Sequence, residues 1–350
     1  MRYLVTGTAG FIGFHLAQRL LDEGHEVVGV DGFTSYYDVQ LKERRNALLE
    51  PRNGFKGYRA MLEDMPSLEA IWEAEKPDIV IHLAAQAGVR YSLENPRAYV
   101  DANIVGTFNV MELTRRHPVK HFMLASTSSA YGANTQMPFQ ETDRTATPLT
   151  LYAATKAATE QMTHAYSHLW SIPTTAFRFF TVYGAWGRPD MALFKFTKGI
   201  IDGTPIDIYN HGDMERDFTY VGDLVEGIYR LSFCVPTREA ALPTGAIDNL
   251  SPVAPYRIVN IGGGTPTNLG AFIDEIEKCV GREAIRNYMA MQPGDVARTF
   301  ANADLLIQLT NYRPDTPLPV GVKAFVDWYR WYYDVTAETQ TSNATPLASA

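Results

Sequence analysis

The chain has only two cysteines in 350 residues, Cys234 and Cys279, and neither belongs to a CxxC pattern. That scarcity argues against a disulfide framework and against a cysteine-based metal site, and it suits a reducing, cytoplasmic setting. No apolar run reaches the roughly 18 residues needed to cross a bilayer, so no membrane span is expected. The start, MRYLVTG, reads as a strand and leaves no room for a signal peptide. Positive charge is also in deficit: 31 Lys and Arg face 39 Asp and Glu, a net charge of −8. A chain of that sign is a poor partner for nucleic acid or anionic lipid. An anionic small ligand would then need a local basic pocket.

What remains is an ordinary globular composition, 46% hydrophobic and 20% charged, long enough for a large core. The first half alternates short apolar runs with helical patterns, the signature of βαβ units and a parallel sheet. Strands are expected at Tyr3–Thr6, Glu26–Val30, Ile79–His82, His121–Ser126 and Thr174–Phe179. Helices are expected at Phe11–Glu23, Ser67–Glu75, Tyr99–His117 and Leu151–His168. Beyond about residue 185 Gly- and Pro-rich stretches break this rhythm, with helices near 192–202, 222–232, 268–280 and 319–334. The fold class is therefore α/β: a Rossmann-type doubly wound parallel sheet with a smaller, interleaved C-terminal substrate-binding region. The expected division is 1–184, 185–336 and a frayed tail at 337–350.

LVTGTAGFIG places Gly7, Gly10 and Gly13 between the first strand and the first helix. Glycines there let the backbone approach a pyrophosphate, which sits on the positive end of the helix. The second strand leads into Asp31, a carboxylate able to accept from both adenosine ribose hydroxyls and to repel a 2′-phosphate. The pattern points to NAD rather than NADP. Tyr152 and Lys156 lie four apart in YAATK, hence on one helix face. A phenol of pKa about 10 must fall by roughly 3 units to act as a base near neutrality, a cost of about 4 kcal/mol. A cation about 4 Å away supplies that order of energy at an effective dielectric near 20. Upstream, LASTSSAYG ends a strand in four hydroxyl side chains, Ser126 to Ser129, where a parallel sheet puts its active site.

TGTAGFIG, HLAAQAGVRYS, ANIVGTFNV, STSSAYG, YAATK, RFFTVYG and RDFTYVGDL together resemble the extended short-chain dehydrogenase/reductase family acting on nucleotide sugars. The resemblance spans roughly residues 1–334. Within that family, RFFTVYGAWGRPDMALFKFT, GVDGFTSYYD and SPVAPYRIVNIG look like the group that inverts C4 of UDP-glucuronate. The resemblance implies a catalytic set of Thr127, Tyr152 and Lys156, with Ser128 and Ser129 as secondary contacts. It implies cofactor contacts from Gly7, Gly10, Phe11, Ile12, Gly13, Asp31, Leu62, Leu83, Ala84, Ala85 and Asn103, besides Tyr152 and Lys156. Arg216 matches an arginine gripping a diphosphate, and Lys195, Tyr209 and Arg298 match positions near UDP. The helices at 99–117 and 151–168 match a dimer surface, so a homodimer is expected.

Three departures shape the expectation. Met61 stands where relatives carry an acid for adenine, leaving the backbone or Asp64 to replace it. Thr181 stands where galactose epimerases have asparagine. Decarboxylases of this family place a glutamate at the position of Ser129, and dehydratases an Asp-Glu pair at Ser128-Ser129. Oxidising C4 of a uronic acid creates a β-keto acid that loses CO₂ readily, so its carboxylate must be held. Arg188, in YGAWGRPDM, is the candidate holder, because its fork matches a planar anion. The competing reading pairs it with Asp190 and makes it a loop shaper. His164 and His168 share a helix face at i,i+4, but without a third ligand no metal is expected.

Overall fold

A computed structural model describes residues 1–237, 248–292 and 294–335, so the expected tail at 337–350 lies outside the described residues. The main sheet uses β1 (Arg2–Thr6), β2 (Glu26–Asp31), β3 (Phe55–Arg59), β4 (Ile79–His82), β5 (His121–Thr127) and β6 (Thr174–Phe179). Its seventh strand comes from the second half: after β7 (Thr181–Tyr183), β8 (Ile206–Ile208) and β9 (Glu215–Tyr220), β10 (Tyr256–Ile261) docks beside β6. The order is β10-β6-β5-β4-β1-β2-β3, and every pairing is parallel. The order reverses between β1 and β4, where a doubly wound sheet opens its ligand crevice.

Central strands of such a sheet are covered on both faces and read as continuous apolar runs. β4 and β5 are buried along their whole length. On one face lie the helices Phe11–Asp22, Val221–Leu231 and Asp304–Thr310, around Phe14, Leu224 and Leu306. On the other lie Met65–Glu75, Thr107–Arg116 and Leu151–Trp170, around Trp72, Met111 and Leu113. A second core joins helices Ala192–Asp202, Leu269–Val280 and Leu318–Tyr332 through Phe194, Phe272, Phe325 and Trp328. Beside it a small sheet pairs β9 with β7, with Pro266–Asn268 and with Arg298–Thr299.

Besides the strands and the helix Asp304–Thr310 that the second half adds, three differences from the expected element list fall in the first half. Strand β3 has a mostly exposed pattern with Gly57 at its centre, so neither alternation nor a buried run marks it. Helix Val39–Leu49 has little amphipathic pattern, because it buries Lys42, Arg45 and Asn46 along with Leu41 and Leu49. The expected single helix at 99–117 is a one-turn helix, then a π-helical stretch Val100–Gly106, then Thr107–Arg116. That widened turn places Asn103 fully inside, where its amide binds the backbone of Gln86 and the hydroxyl of Thr155. Wide turns of this kind recur where a helix serves a site.

Candidate functional site

A cleft of about 1320 Å³ runs along the carboxyl ends of the strands. Gly7, Gly10, Phe11, Ile12, Gly13, Asp31, Leu62, Leu83, Ala84, Ala85, Thr127 and Tyr152 all line it. The glycines are sterically required. Gly7 sits at φ +83°, and a Cβ on Gly13 would lie 2.0 Å from the carbonyl oxygen of Gly7. Asp31 accepts from the backbone N–H of Ala9 (3.0 Å) and of Phe33 (2.8 Å), which aims its carboxylate at the mouth of the first helix.

At the switch point Thr6 fixes the geometry. Its hydroxyl accepts from the N–H of Leu83 (3.1 Å) and Ala84 (3.0 Å) and bonds His82 Nδ1 at 2.8 Å. With its acceptor capacity used, the hydroxyl donates to Nδ1, and Nε2–H donates to Thr107 at 3.0 Å. Burial pulls the His82 imidazole down to about 3, so it stays neutral. His82 is thus a packing residue at the end of β4. Asn103 does not line the cleft; it holds the 86–87 segment and the Tyr152 helix in place. Asp64 caps the helix Met65–Glu75 by accepting from Ser67, so it is engaged elsewhere. Met61, Leu62 and Glu63 line the cleft in its place.

Thr127 ends β5, and its Oγ1 accepts from the N–H of Ser129 at 3.1 Å. Thr150 caps the helix Leu151–Trp170, placing Tyr152 in the first turn and Lys156 one turn deeper, buried. Burial pushes the Tyr152 phenol above its ordinary value, and the Thr127 hydroxyl and the Arg188 charge offset this only in part. Burial also pulls the Lys156 ammonium down to about 8, against Glu160, which raises it. The drop of the phenol toward neutrality expected from Lys156 is therefore not present in the protein alone, because desolvation dominates both groups. Beneath them Glu160 accepts from Arg178 Nε at 2.9 Å and Nη2 at 2.7 Å, and from the Ser126 hydroxyl.

Arg188 lines the same cleft, together with Met191 and Tyr36. It forms the pair with Asp190 that was the competing reading: Nε–Oδ1 is 3.0 Å and Nη2–Oδ2 is 2.5 Å. Tyr36 donates to Asp190 Oδ2 at 3.1 Å. The loop is held from below. Trp186 adopts φ +60°, a costly region for an aromatic residue, and packs on Phe14, Trp328 and Tyr332. The fully buried Arg45 donates to Trp186 O (2.5 Å) and also to Ala9 O (2.9 Å) of the glycine-rich turn.

The outer residues fall into two groups. Ser128 and Ser129 line a smaller hollow of about 390 Å³ with Thr150, Gly294 and Val296, and Thr181 lines another with Arg188 and Tyr183. Arg216 donates to Val296 O at 2.6 Å and Ala297 O at 2.9 Å, Arg298 pairs with Glu215 at 3.4 Å, and Arg90 lies over Tyr209 at 4.2 Å. Arg90 also pairs with Asp295 at 2.8 Å, so Arg90 and Arg298 are both matched by carboxylates, and Val296, to which Arg216 donates, lines the hollow with Ser128 and Ser129. Lys195 is exposed on the helix Ala192–Asp202. The two helix histidines are engaged singly, His164 with Ser251 at 2.9 Å and His168 with the carbonyl of Val253 at 2.7 Å. Lys42 and Arg45 carried no sequence signal beyond being polar in a helix, and they gain meaning only from their place in the fold.

The model of a family described as NAD dependent epimerase/dehydratase matches residues 3–232. The chain belongs to that family. A probable UDP-glucuronate 4-epimerase of Rhizobium meliloti (strain 1021) is 60% identical over 334 residues, covering 95% of this chain and 98% of the relative. UDP-glucuronate 4-epimerase 1 of Arabidopsis thaliana is 44% identical, over 94% of this chain and 77% of the relative. The crystal structure of UDP-glucuronic acid 4-epimerase from Bacillus cereus, in complex with UDP-glucuronic acid and NAD, superposes with a TM-score of 0.85 at 32% identity, covering 95% of this chain and 100% of that one. For an NAD-dependent epimerase the cleft fits its cofactor on the chain's own terms. The glycine turn leaves room for a pyrophosphate, Asp31 and Tyr152 both line the cleft, and Lys156 is buried one helical turn behind Tyr152.

Proposed function

We propose that this protein interconverts UDP-glucuronate and UDP-galacturonate by inverting C4, with NAD as a tightly held catalytic cofactor and no net redox. NAD⁺, when bound, would accept the hydride from C4 and return it to the opposite face of the keto sugar, so that the cofactor ends as it began. Tyr152 removes the proton from O4, and the Thr127 hydroxyl hydrogen-bonds the same oxygen. Lys156 supports the phenolate from one helical turn away, with its charge maintained by Glu160. After the keto sugar turns over about its diphosphate link, Tyr152 returns the proton on the other face. Arg216, Arg298, Lys195 and Tyr209 serve the UDP end, and Ser128, Ser129 and Thr181 serve the sugar.

The observation that carries this reading over a decarboxylase is that Arg188 lines the cleft with Tyr152, while Ser128 and Ser129, in the neighbouring hollow, occupy the positions where the resemblance puts the carboxylates of the competing chemistry. Incubation of the purified protein with UDP-glucuronate tests it. UDP-galacturonate without CO₂ is expected; UDP-xylose or a 4-keto pentose would make the protein a decarboxylase, and no conversion would leave only NAD binding. Arg188→Ala is expected to lower kcat/KM for UDP-glucuronate by at least tenfold or to release UDP-pentose and CO₂. A charge-assisted bond of about 1.5–3 kcal/mol is enough for that.

A homodimer belongs to the same proposal. The helices Thr107–Arg116 and Leu151–Trp170 leave Phe108, Leu169 and Trp170 exposed at their surfaces. Cys234 and Cys279 are unpaired, which supports a cytoplasmic location.

A further inference from the structure

The pairing of Arg188 with Asp190 looks at first like a competitor to the role just given to Arg188. The geometry points to the opposite: Asp190, braced by Tyr36, is a positioning residue that presents the Arg188 fork to the sugar carboxylate. This inference rests on the reading of Arg188 as the carboxylate holder.

A guanidinium carries five N–H groups in a rigid plane. Asp190 takes two of them on the side edge, from Nε at 3.0 Å and Nη2 at 2.5 Å. The end edge is formed by Nη1 and the outer hydrogen of Nη2; Asp190 takes neither hydrogen, and the Tyr36 hydroxyl beside Asp190 Oδ2 also reaches the guanidinium. That edge is itself a complete bidentate site for a planar carboxylate. Fixing one edge of a flat cation fixes the direction of the other. The side-edge partner is braced by Tyr36, and its loop is anchored from below. Tyr36 donates to Asp190 Oδ2 at 3.1 Å and lies with its ring 5.9 Å from the Arg188 Cζ. Arg45 and the packing of Trp186 hold the loop that carries both residues. The pair is half-buried, its side chains 21% and 25% exposed, so solvent screens it only weakly.

The pair also solves a charge problem. An unpaired Arg188 would hold a carboxylate strongly in one orientation, whereas the sugar must turn over between two. Neutralised by Asp190, the guanidinium keeps its direction and its donors but a weaker net pull. Burial alone would push the Asp190 carboxyl up, yet Arg188 holds it below its ordinary value, so the pair stays ionised through the neutral range.

The test compares Asp190→Asn, Tyr36→Phe and Arg188→Ala in the NAD-loaded holoenzyme, measuring kcat, KM and released CO₂ with UDP-glucuronate. Asp190→Asn is expected to lower kcat/KM by about tenfold and to raise the CO₂ released per turnover. Tyr36→Phe is expected to shift both in the same direction by about threefold, and Asp190→Glu to restore CO₂ release toward that of the unaltered protein. Retained NAD content and an unchanged melting temperature would exclude simple misfolding. An unaltered or improved kcat/KM in Asp190→Asn, with Arg188→Ala still impaired, overturns the positioning role and leaves the Arg188 reading standing. An unaltered Arg188→Ala overturns that reading itself, and the inference with it. A loss in Asp190→Asn with no CO₂ would make Asp190 only a support for the loop, which also overturns it.

Discussion

Arg45 shows how much of the site depends on a single buried side chain. It lies on a helix with little amphipathic pattern, is fully buried, and joins the glycine-rich turn through Ala9 O to the Arg188 loop through Trp186 O, with Tyr37 as a third partner at 2.9 Å. Arg45→Met keeps the volume of the stem but orphans those buried acceptors. A loss of about 2–4 kcal/mol is expected in urea unfolding, since each charge-assisted hydrogen bond contributes about 1.5–3 kcal/mol. NAD affinity and kcat should fall together, because one guanidinium ties both loops. A variant that loses stability but keeps both would reduce Arg45 to a packing residue. The sequence shows an arginine at position 45 but not its burial, because the partners are backbone carbonyls from segments distant in the chain.

At the scale of elements, the helix Leu151–Trp170 is fixed on several sides. Thr150 caps it, Glu160 binds Arg178 of β6, and Tyr166 donates to Glu112 of the neighbouring helix at 2.6 Å. The Arg115 guanidinium, with Tyr166, holds the Glu112 carboxyl down to about 2. A carboxyl lowered from its ordinary 4.5 to that value adds stability that is complete above the unfolded pKa and is lost as pH falls from there toward the folded one. Glu112→Gln should therefore flatten the acid limb of a stability-against-pH curve between about 4.5 and 2, and leave the curve near neutrality parallel to that of the unaltered protein. An identical acid limb in the variant would show that the contact adds nothing. YxxxK could be read as a helix face from spacing alone. The π-helical stretch Val100–Gly106 could not, because its cause is the fit of the Asn103 amide between Gln86 and Thr155.

For the whole molecule, the seven-stranded sheet is completed only by a strand from the second half, and helices Val221–Leu231 and Asp304–Thr310 return to cover its face. Neither half of the chain holds a finished core by itself. If the exposed faces of Thr107–Arg116 and Leu151–Trp170 form the proposed dimer, Phe108→Glu should shift sedimentation from a dimer to a monomer with little loss of NAD. An unchanged species would place the interface elsewhere. By itself the sequence determined the parallel sheet, the glycine turn, Asp31 and the Tyr152–Lys156 face, because each is a local pattern whose physics acts within a few residues. Only the tertiary structure decided that burial, more than Lys156, governs the Tyr152 phenol, that Asp64 is spent on a helix cap, and that Arg188 reaches the cleft already gripped by Asp190 and Tyr36. Those outcomes depend on desolvation and on partners up to 154 residues apart, and no window of sequence contains either.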